Sequence, residues 1–294
     1  MQKSPVIYKL SGAGNTFAFV DAQRGHHYDL WEKSRLSRQS SQNPKNSSLT
    51  QTGLRKKIVR RVCSSVEGLS CDGFVFIDLK NSGWIWDFYN NDSSEAEMCG
   101  NAARCAMLFI RDILGHEIKN LELQTTSGKI YGADRSKNKI NQFEITMTNP
   151  FRILKEISKT VITNQIQFSL IDTGVPHLVF EGLRLSKVDS FQLRMDFDIS
   201  AIGTNVTSFQ ETATDHISAV TYERGVEDFT LACGTGAVAA ALDYWRKSSS
   251  QEPRWIQVDM PGGTLQVFCS SREKPKMRGP AEILLKAKIN KDYL

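Results

Sequence analysis

The residues of this chain best suited to chemistry lie in two short segments, in each of which a cysteine is followed by a glycine. They read Cys99-Gly100-Asn101 and Cys233-Gly234-Thr235-Gly236, and each stands directly before a predicted helix. The unpaired N–H groups and the positive dipole end of a helix attract carboxylates and lower the pKa of a thiol placed there. If the two helix starts face each other, one cysteine could remove a proton from the carbon beside a bound carboxylate. The other could deliver a proton to the opposite face, which inverts a stereocentre.

A lone cysteine before a helix is more often a small buried hydrophobic residue than a catalyst. Here the pattern occurs twice, about one domain length apart, and this repetition favours a functional interpretation over packing. It also suggests two duplicated domains, each presenting one cysteine at a helix start. Packing is the prediction for the other cysteines, which are Cys63, Cys71, Cys105 and Cys269.

The elements that must position these cysteines are mostly strands. Segments rich in Val, Ile, Phe, Trp and Tyr predict strands at 6–10, 16–21, 74–79, 84–89, 121–126, 129–133, 140–147, 168–172, 178–180, 219–222, 256–260, 264–268 and 283–289. Two turn sequences, Ser127-Gly128 and Pro261-Gly262-Gly263, separate neighbouring predicted strands and therefore predict hairpins.

Three helices are predicted. The first cysteine helix covers 100–114 and ends before Gly115, a typical C-terminal glycine. The second starts at Gly234, and its segment 237–242 is apolar on every side, so sheet must wrap around it. A basic amphipathic helix over 54–64 is interpreted as a solvated face rather than a site for an acidic partner.

Composition excludes several functional classes. The chain has 294 residues, which predicts about two domains, and 40% of them are hydrophobic, too many for a disordered chain. A net charge of +5 is too small to predict a nucleic-acid or membrane partner. Because the sequence has no CxxC pair, no long apolar run and no signal peptide, we expect no metal site, a cytoplasmic location and reduced thiols. The polar stretch Ser34–Gln51 is predicted to be a mobile surface loop, and His26 and His27 to be surface residues.

Five separated motifs, in this order along the chain, resemble those of a known family. The motifs are Gly12-Ala13-Gly14-Asn15 with Phe17, Tyr89-Asn90-Asn91-Asp92-Ser93-Ser94-Glu95-Ala96-Glu97-Met98-Cys99-Gly100-Asn101, Thr173-Gly174-Val175-Pro176-His177, Tyr222-Glu223-Arg224-Gly225, and Ala232-Cys233-Gly234-Thr235-Gly236-Ala237. On these motifs the chain resembles the diaminopimelate epimerase family, which comprises amino-acid epimerases that work without pyridoxal phosphate or metal. The resemblance covers nearly the whole chain.

The resemblance implies an α/β (α+β) fold of two pseudo-symmetric domains. Each domain is a barrel-like, mostly antiparallel sheet around a central helix. We expect residues 1–141 plus 279–294 to form the N-terminal domain, which carries Cys99, and residues 142–278 to form the C-terminal domain, which carries Cys233. The implied reaction interconverts LL- and meso-diaminopimelate in the synthesis of lysine and peptidoglycan precursors. The implied partner is a small amino-acid substrate, with no cofactor, and a homodimer is left open.

The resemblance also assigns roles to residues. Cys99 and Cys233 match the thiolate base and the thiol acid, and His177 and Glu223 match positions that tune the protonation of the cysteines. The backbone of Gly100-Asn101 and Gly234-Thr235 matches the cradle of the substrate α-carboxylate. The remaining substrate-binding matches are Asn15, Asn90, Asn205, Glu223 and Arg224.

The chain departs from the family pattern at Val175, where the usual residue is an asparagine. An apolar side chain there removes one polar partner of the substrate, which costs about 1–3 kcal/mol if the polar group stays buried. A racemase of another amino acid, or an enzyme of relaxed specificity, therefore stays open. A third hypothesis is a protein without catalysis, either an amino-acid binder or a thiol redox sensor using Cys99 and Cys105. Their spacing of six puts these two cysteines on different helix faces and disfavours a disulfide.

Overall fold

The computed structural model of the chain describes residues 6–23, 51–96, 98–147, 152–161, 164–197 and 203–289, which form 17 strands and four helices. The strands are β1 (Val6–Gly12), β2 (Asn15–Asp21), β3 (Gly73–Lys80), β4 (Gly83–Asn90), β5 (Leu121–Thr125), β6 (Gly128–Asp134), β7 (Gln142–Thr146), β8 (Arg152–Val161), β9 (Asn164–Asp172), β10 (Pro176–Glu181), β11 (Asn205–Ala213), β12 (His216–Glu223), β13 (Asp228–Phe229), β14 (Arg254–Met260), β15 (Gly263–Cys269), β16 (Lys276–Pro280) and β17 (Glu282–Lys288). The helices are α1 (Gln51–Cys63), α2 (Gly100–Asp112), α3 (Lys187–Asp196) and α4 (Gly234–Lys247). Residues 34–50 of the predicted loop Ser34–Gln51 and both histidines at 26 and 27 lie outside the described residues, and Gln51 is the first residue of α1.

Strand pairing divides the sheet into two halves built on one pattern. In the N-terminal half the neighbours run β17-β1-β2-β3-β4-β5-β6-β7. In the C-terminal half they run β8-β9-β10-β11-β12-β14-β15-β16. Both series alternate in the same way: two antiparallel pairs, then parallel, antiparallel, parallel, and two more antiparallel pairs. The halves are joined where β7 pairs antiparallel with β16.

The helices occupy matching places in the two series. The parallel pairs β2–β3 and β10–β11 are connected through α1 and α3, and the parallel pairs β4–β5 and β12–β14 through α2 and α4. One core cluster surrounds α2 and another surrounds α4, whereas α1 and α3 pack on separate outer clusters. The fold class predicted from the sequence is therefore confirmed.

The division into domains at 141/142 and 278/279 remains our proposal. The pairing of β17 with β1 supports the return of the C-terminal segment to the N-terminal half. The two proposed boundaries fall at the β7–β16 ladder, which both halves share.

Local sequence signals account for several element ends. Gly115 has φ +74° beyond the end of α2, where the His116 N–H donates to Ile110 O, as a C-terminal glycine predicts. Both predicted hairpins form, and each closes through a glycine, Gly128 or Gly263, with positive φ. The segment 237–242 of α4 is buried at every position, in agreement with its apolar sequence.

The basic helix α1 runs over Gln51–Cys63, and its description as a solvated face needs one correction. Lys57 and Arg60 are exposed, but Arg55 is buried. The Arg55 guanidinium pairs with Asp87 and lies 4.5 Å from the centre of the Phe76 ring, so a carboxylate and an aromatic face replace its water.

The four cysteines assigned to packing, Cys63, Cys71, Cys105 and Cys269, are buried and not bonded to one another. Across the described ranges, no helix is long and apolar enough to cross a membrane.

Candidate active site

The N-terminal ends of α2 and α4 lie close together, with a cysteine at each end. Cys99 is the N-cap of α2 and Cys233 is the N-cap of α4, both in extended backbone conformation. The Met277 side chain lies between the two ends. A Cβ at Gly100 would be 2.1 Å from its methyl carbon, and a Cβ at Gly234 would be 3.3 Å from it. The structure thus brings both cysteine segments to one place between the halves. Only glycine at these positions leaves space for the Met277 methyl group.

The sulfur of Cys99 contacts one donor, which favours the thiolate, and one acceptor, which favours the thiol. The Ala102 N–H donates to it over 3.5 Å, and the thiol lies 3.9 Å from Asn15 Oδ1. Burial raises the pKa of Cys99 to about 11, and the N–H groups of Ala102 and Asn101 together with the charge of Arg104 oppose this rise. The helix start therefore acts on the pKa of this thiol in the predicted direction, but burial outweighs it, so the predicted net lowering of the Cys99 pKa is wrong.

Asn15 is held beside Cys99 by a carboxylate. Its Nδ2 donates to Asp72 Oδ2 at 2.8 Å, and the Thr16 N–H donates to the same oxygen at 2.7 Å. This leaves Asn15 Oδ1 directed to the Cys99 sulfur. Asp72 thus positions a predicted substrate-binding residue.

Arg104 is a completely buried cation that links the two halves. Its Nη2 donates to Asn101 Oδ1 at 2.9 Å, and its Nε donates to Pro280 O at 3.2 Å. Asn101 Nδ2 in turn donates to the carbonyl of Ala232, next to Cys233, at 3.3 Å. Burial lowers the pKa of Arg104 to about 10, so the guanidinium stays charged at neutral pH. No salt bridge to Arg104 occurs among the described residues.

Cys233 is only 6% exposed and lies between a carboxylate and a hydroxyl. Thr235 Oγ1 is 3.4 Å from its sulfur, and the Glu223 carboxylate contacts the sulfur while accepting a hydrogen bond from the Thr230 hydroxyl. Burial raises the pKa of Cys233 well above its ordinary value, the charge of Glu223 raises it further, and the Thr235 hydroxyl opposes the rise. Burial also raises the pKa of Glu223.

His177 is completely buried and reaches Cys233 through Thr235. Its Nε2 is 3.0 Å from Thr235 Oγ1, and its Nδ1 is 2.9 Å from Thr207 Oγ1. Burial, together with the charge of Arg224, lowers the pKa of His177 to about 3, so its imidazole is neutral at physiological pH. A neutral imidazole donates from one nitrogen and accepts at the other.

The other predicted substrate-binding residues differ in how many of their hydrogen bonds are made within the protein. Asn205 is buried; its Oδ1 accepts from the Arg224 N–H at 3.1 Å, and its Nδ2 donates to Pro176 O at 3.3 Å. Asn90 is exposed at the end of β4, where its Nδ2 donates to Ser94 Oγ at 2.9 Å. Asn205 therefore fixes the backbone of Arg224, whose side chain is half-buried.

The turn that carries Val175 is tied to the second cysteine segment. Thr173 Oγ1 donates to Thr235 O at 3.0 Å, and the Thr173 N–H donates to Val175 O at 3.2 Å. Val175 is half-exposed and lies two residues after Thr173, which makes this link. The departure from the family pattern thus lies close to the candidate site.

Sequence reasoning missed Asp72, Arg104, Thr207 and Met277. Arg104 had a usable signal, because residues 102–103 and 105–110 around it are all apolar, and an arginine in such a helix segment must be buried with polar partners. The others had none, since their places follow from strand pairing between distant segments. The described part of the chain contains no group of three or more His, Cys, Asp or Glu side chains that could hold a metal ion.

The chain is similar in sequence to one family of known proteins. The family model described as Diaminopimelate epimerase matches residues 7–152 and 169–284. A diaminopimelate epimerase of Aquifex aeolicus (strain VF5) is 34% identical over 251 residues, which are 82% of this chain and 81% of the relative. One from Helicobacter pylori (strain HPAG1) is 36% identical over 254 residues, covering 81% and 80% of the two chains.

Solved structures with the same fold are more distant in sequence. A hydroxyproline epimerase from Agrobacterium vitis with bound trans-4-hydroxy-L-proline superimposes with a TM-score of 0.65 at 12% identity, covering 97% of this chain and 92% of that one. A probable proline racemase from Agrobacterium radiobacter K84 gives a TM-score of 0.62 at 13% identity, covering 98% and 93%. At this identity, the likeness shows the fold alone.

Proposed function

This chain belongs to the diaminopimelate epimerase family, a family of isomerases, and on that premise we propose that it interconverts LL- and meso-diaminopimelate. The observation that carries the proposal is the meeting of two cysteine-capped helix starts between the halves. The proposed place of the reaction is the synthesis of lysine and peptidoglycan precursors.

The proposed mechanism uses Cys99 and Cys233 as a pair. The N–H groups of Gly100-Asn101 and Gly234-Thr235 bind the α-carboxylate of the substrate, because helix starts present unpaired donors. A thiolate on one side takes the α-proton and becomes a thiol. The thiol on the opposite side gives its proton to the carbon and becomes a thiolate, so charge is conserved and the two cysteines exchange roles.

The proposed tuning residues differ in what they supply. Glu223 places negative charge beside Cys233, which favours its thiol form. His177 is neutral and acts through the hydroxyl of Thr235. We assign Asn15, Asn90, Asn205, Glu223 and Arg224 to substrate binding, where the Arg224 guanidinium suits the distal carboxylate.

The test is the loss of either thiol. Cys99→Ala and Cys233→Ala should each lower kcat/KM for diaminopimelate by at least the roughly 10²–10⁴-fold contribution of one acid–base group. Cys105→Ala, which removes a buried cysteine from the helix that Cys99 caps, is the matched control and should keep its activity. Near-normal epimerisation in either of the first two variants would refute the mechanism.

A racemase of another amino acid is the second candidate, and Val175 is the observation that favours it. An apolar residue near the Thr235 backbone suits a substrate with less polar surface than diaminopimelate. A panel of amino acids should be assayed for α-proton exchange in heavy water. Exchange confined to diaminopimelate excludes this candidate, and faster exchange with another amino acid replaces the first one. Independence from cofactors, a cytoplasmic location and a homodimer stay predictions.

A further inference from the structure

A chain of buried hydroxyl and imidazole groups leads from the interior of the C-terminal half to Cys233. Thr221 Oγ1 is 3.0 Å from Thr207 Oγ1, which is 2.9 Å from His177 Nδ1. His177 Nε2 is 3.0 Å from Thr235 Oγ1, and this oxygen is 3.4 Å from the Cys233 sulfur. Three of these groups, on Thr221, Thr207 and His177, belong to residues with no solvent exposure.

The direction of this chain follows from its inner end. The Thr221 hydroxyl contacts only Thr207 Oγ1 among the hydrogen bonds of the described side chains. If hydrogen bonds ran away from Cys233, the Thr221 O–H would be a buried donor without an acceptor, which is costly. In the opposite direction every O–H and N–H has an acceptor. Thr221 then donates to Thr207, Thr207 to His177 Nδ1, His177 Nε2–H to Thr235, and Thr235 to the sulfur.

The N-terminal half has no such chain at the matching places. The first pair of the β2–β3 ladder is Phe17 with Gly73, and the first pair of the β10–β11 ladder is His177 with Asn205. Counting from these pairs, Thr207 matches Val75. Its partner across the next ladder, Thr221, matches Phe88. Phe17, Val75 and Phe88 are buried core residues around α2. The fold therefore accepts apolar side chains at these positions. The architecture does not require the row of hydrogen-bonded side chains beside Cys233.

The close approach of α4 to this chain depends on a glycine. A Cβ at Gly236 would lie 2.2 Å from Thr221 Oγ1 and 3.2 Å from Thr207 Oγ1. The last residue of the Cys-Gly-Thr-Gly segment thus lets the helix start rest on the two hydroxyls.

We propose that Thr235 is a positioning residue whose hydroxyl donates to the Cys233 sulfur. This hydroxyl is held by a hydrogen bond from His177, which is itself held by a hydrogen bond from Thr207. This inference rests on the proposed function and gives His177 a specific role: it is a neutral hydrogen-bond donor in the Nε2–H tautomer, not the base that ionises the cysteine. No proton is transferred along the chain. The chain fixes the direction of one hydrogen bond, and this bond favours the thiolate.

The charged and titratable groups around this chain set the conditions for a test. Glu223 faces Cys233 from β12, and Arg224 acts on His177. Asp72, from the N-terminal half, acts on Glu223. The threonine substitutions that test the hydrogen-bonded side chains leave all of these charged and titratable groups in place.

The experiment measures the rate at which iodoacetamide alkylates Cys233 as a function of pH, read by peptide mass spectrometry in the full chain. Thr235→Val should slow alkylation at neutral pH by about tenfold, because it removes a hydrogen bond to an ion. Thr207→Val should slow it by about threefold and Thr221→Val by less than about twofold, because only polarisation of the remaining bonds is lost. Thr235→Ser should restore the rate. Cys99 in the same samples is the internal control and should react unchanged.

A structural role alone predicts another pattern. If the threonines only pack, Thr221→Val should matter most, since Thr221 lies closest to Gly236, and Thr235→Ser should not restore the rate. Either result overturns the proposal.

A second measurement does not require reagent to reach the thiol. Nitrogen-15 spectra of labelled histidine, with His177 assigned from His177→Gln, should show a neutral imidazole protonated at Nε2. A ring protonated at Nδ1 overturns the proposal. Neither readout involves turnover, so failure of the proposed diaminopimelate reaction would be seen separately, in the activity assay.

Discussion

The two cysteines occupy matching places in the two halves, but their surroundings differ in charge. Each stands before a central helix that connects a parallel strand pair. Strand β4 of the N-terminal half ends at Asn90, whereas its counterpart β12 in the C-terminal half ends at the carboxylate of Glu223. A buried cation, Arg104, acts on Cys99.

This difference separates the two thiols in acidity. Both pKa values are raised by burial, but that of Cys99 is raised only to about 11, because helix N–H groups and a cation oppose the effect. The pKa of Cys233 is raised well above its ordinary value, and there a carboxylate adds to the effect of burial. The two matching cysteines of a repeated fold thus have neighbouring charges of opposite sign. We expect the resting protein to favour Cys99 as the base and Cys233 as the acid.

Removing the buried cation should have the largest effect on this comparison. Arg104→Met leaves the Asn101 Oδ1 and Pro280 O acceptors without a donor and takes a positive charge from Cys99, so kcat/KM should fall about 100-fold. Alkylation of Cys99 should slow while that of Cys233 changes little. Steady-state kinetics and pH-dependent alkylation measure both.

The matched control for this change is Arg111→Met on the same helix. Arg111 pairs with Asp112 and Asp134 near the surface, so its loss should leave both thiols unchanged. Arg104→Lys keeps the charge and should recover part of the activity. Equal slowing of the two cysteines in Arg104→Met would contradict a specific action on Cys99.

Neutralising the carboxylate should make the two thiols more alike. In Glu223→Gln the negative charge next to Cys233 is gone, so the pKa of Cys233 should fall and its alkylation at neutral pH should rise about tenfold, which corresponds to one pKa unit. The same charge acts more weakly on Cys99, whose rate should change less. An unchanged Cys233 rate would show that the carboxylate does not control this thiol.

The smallest expected effect is on stability at mildly acidic pH, and it belongs to the C-terminal half. The folded protein holds His177 neutral, with a pKa lowered to about 3, whereas the unfolded chain protonates it near its ordinary value. The unfolded state therefore binds more protons as pH falls, and the free energy of unfolding should drop by about 1 kcal/mol between about pH 7 and about pH 5.5.

This contribution can be isolated by denaturant titration at the two pH values. His177→Gln should lose less stability between them than the unmodified protein does. His216, which is half-exposed and paired with Asp259, offers the comparison variant His216→Gln. If His177→Gln and the unmodified protein show the same pH dependence, the buried neutral state of His177 is wrong.

Sequence patterns predicted those parts of the molecule that depend on neighbouring residues. The apolar segment 237–242 predicted a helix wrapped by sheet, and the turn sequences Ser127-Gly128 and Pro261-Gly262-Gly263 predicted both hairpins. In contrast, β16 was not predicted, because its sequence Lys-Met-Arg-Gly-Pro has no strand pattern and its pairing comes from β15 and β7. Strand β8, with its many charged residues, and helix α3 were missed for a similar reason.

The candidate site shows the same limit. Cys99 and Cys233 could be found because helix starts carry a local signature, and the family resemblance supplied their partners. Asp72 could not be found, since its value lies in contacts with Asn15 and Thr16 across the sheet. Hydrogen bonds between segments far apart in the chain leave no pattern in the sequence.

The pairing of β17 with β1 has a consequence for the order in which the protein can fold during synthesis. Residues such as Val6 and Lys288 are partners at nearly opposite ends of the chain. A ribosome releases β1 early, but β1 has only β2 as a neighbour until β17 emerges. The half that holds Cys99 is then completed last although it is made first, and its open strand edge is exposed to other chains throughout elongation.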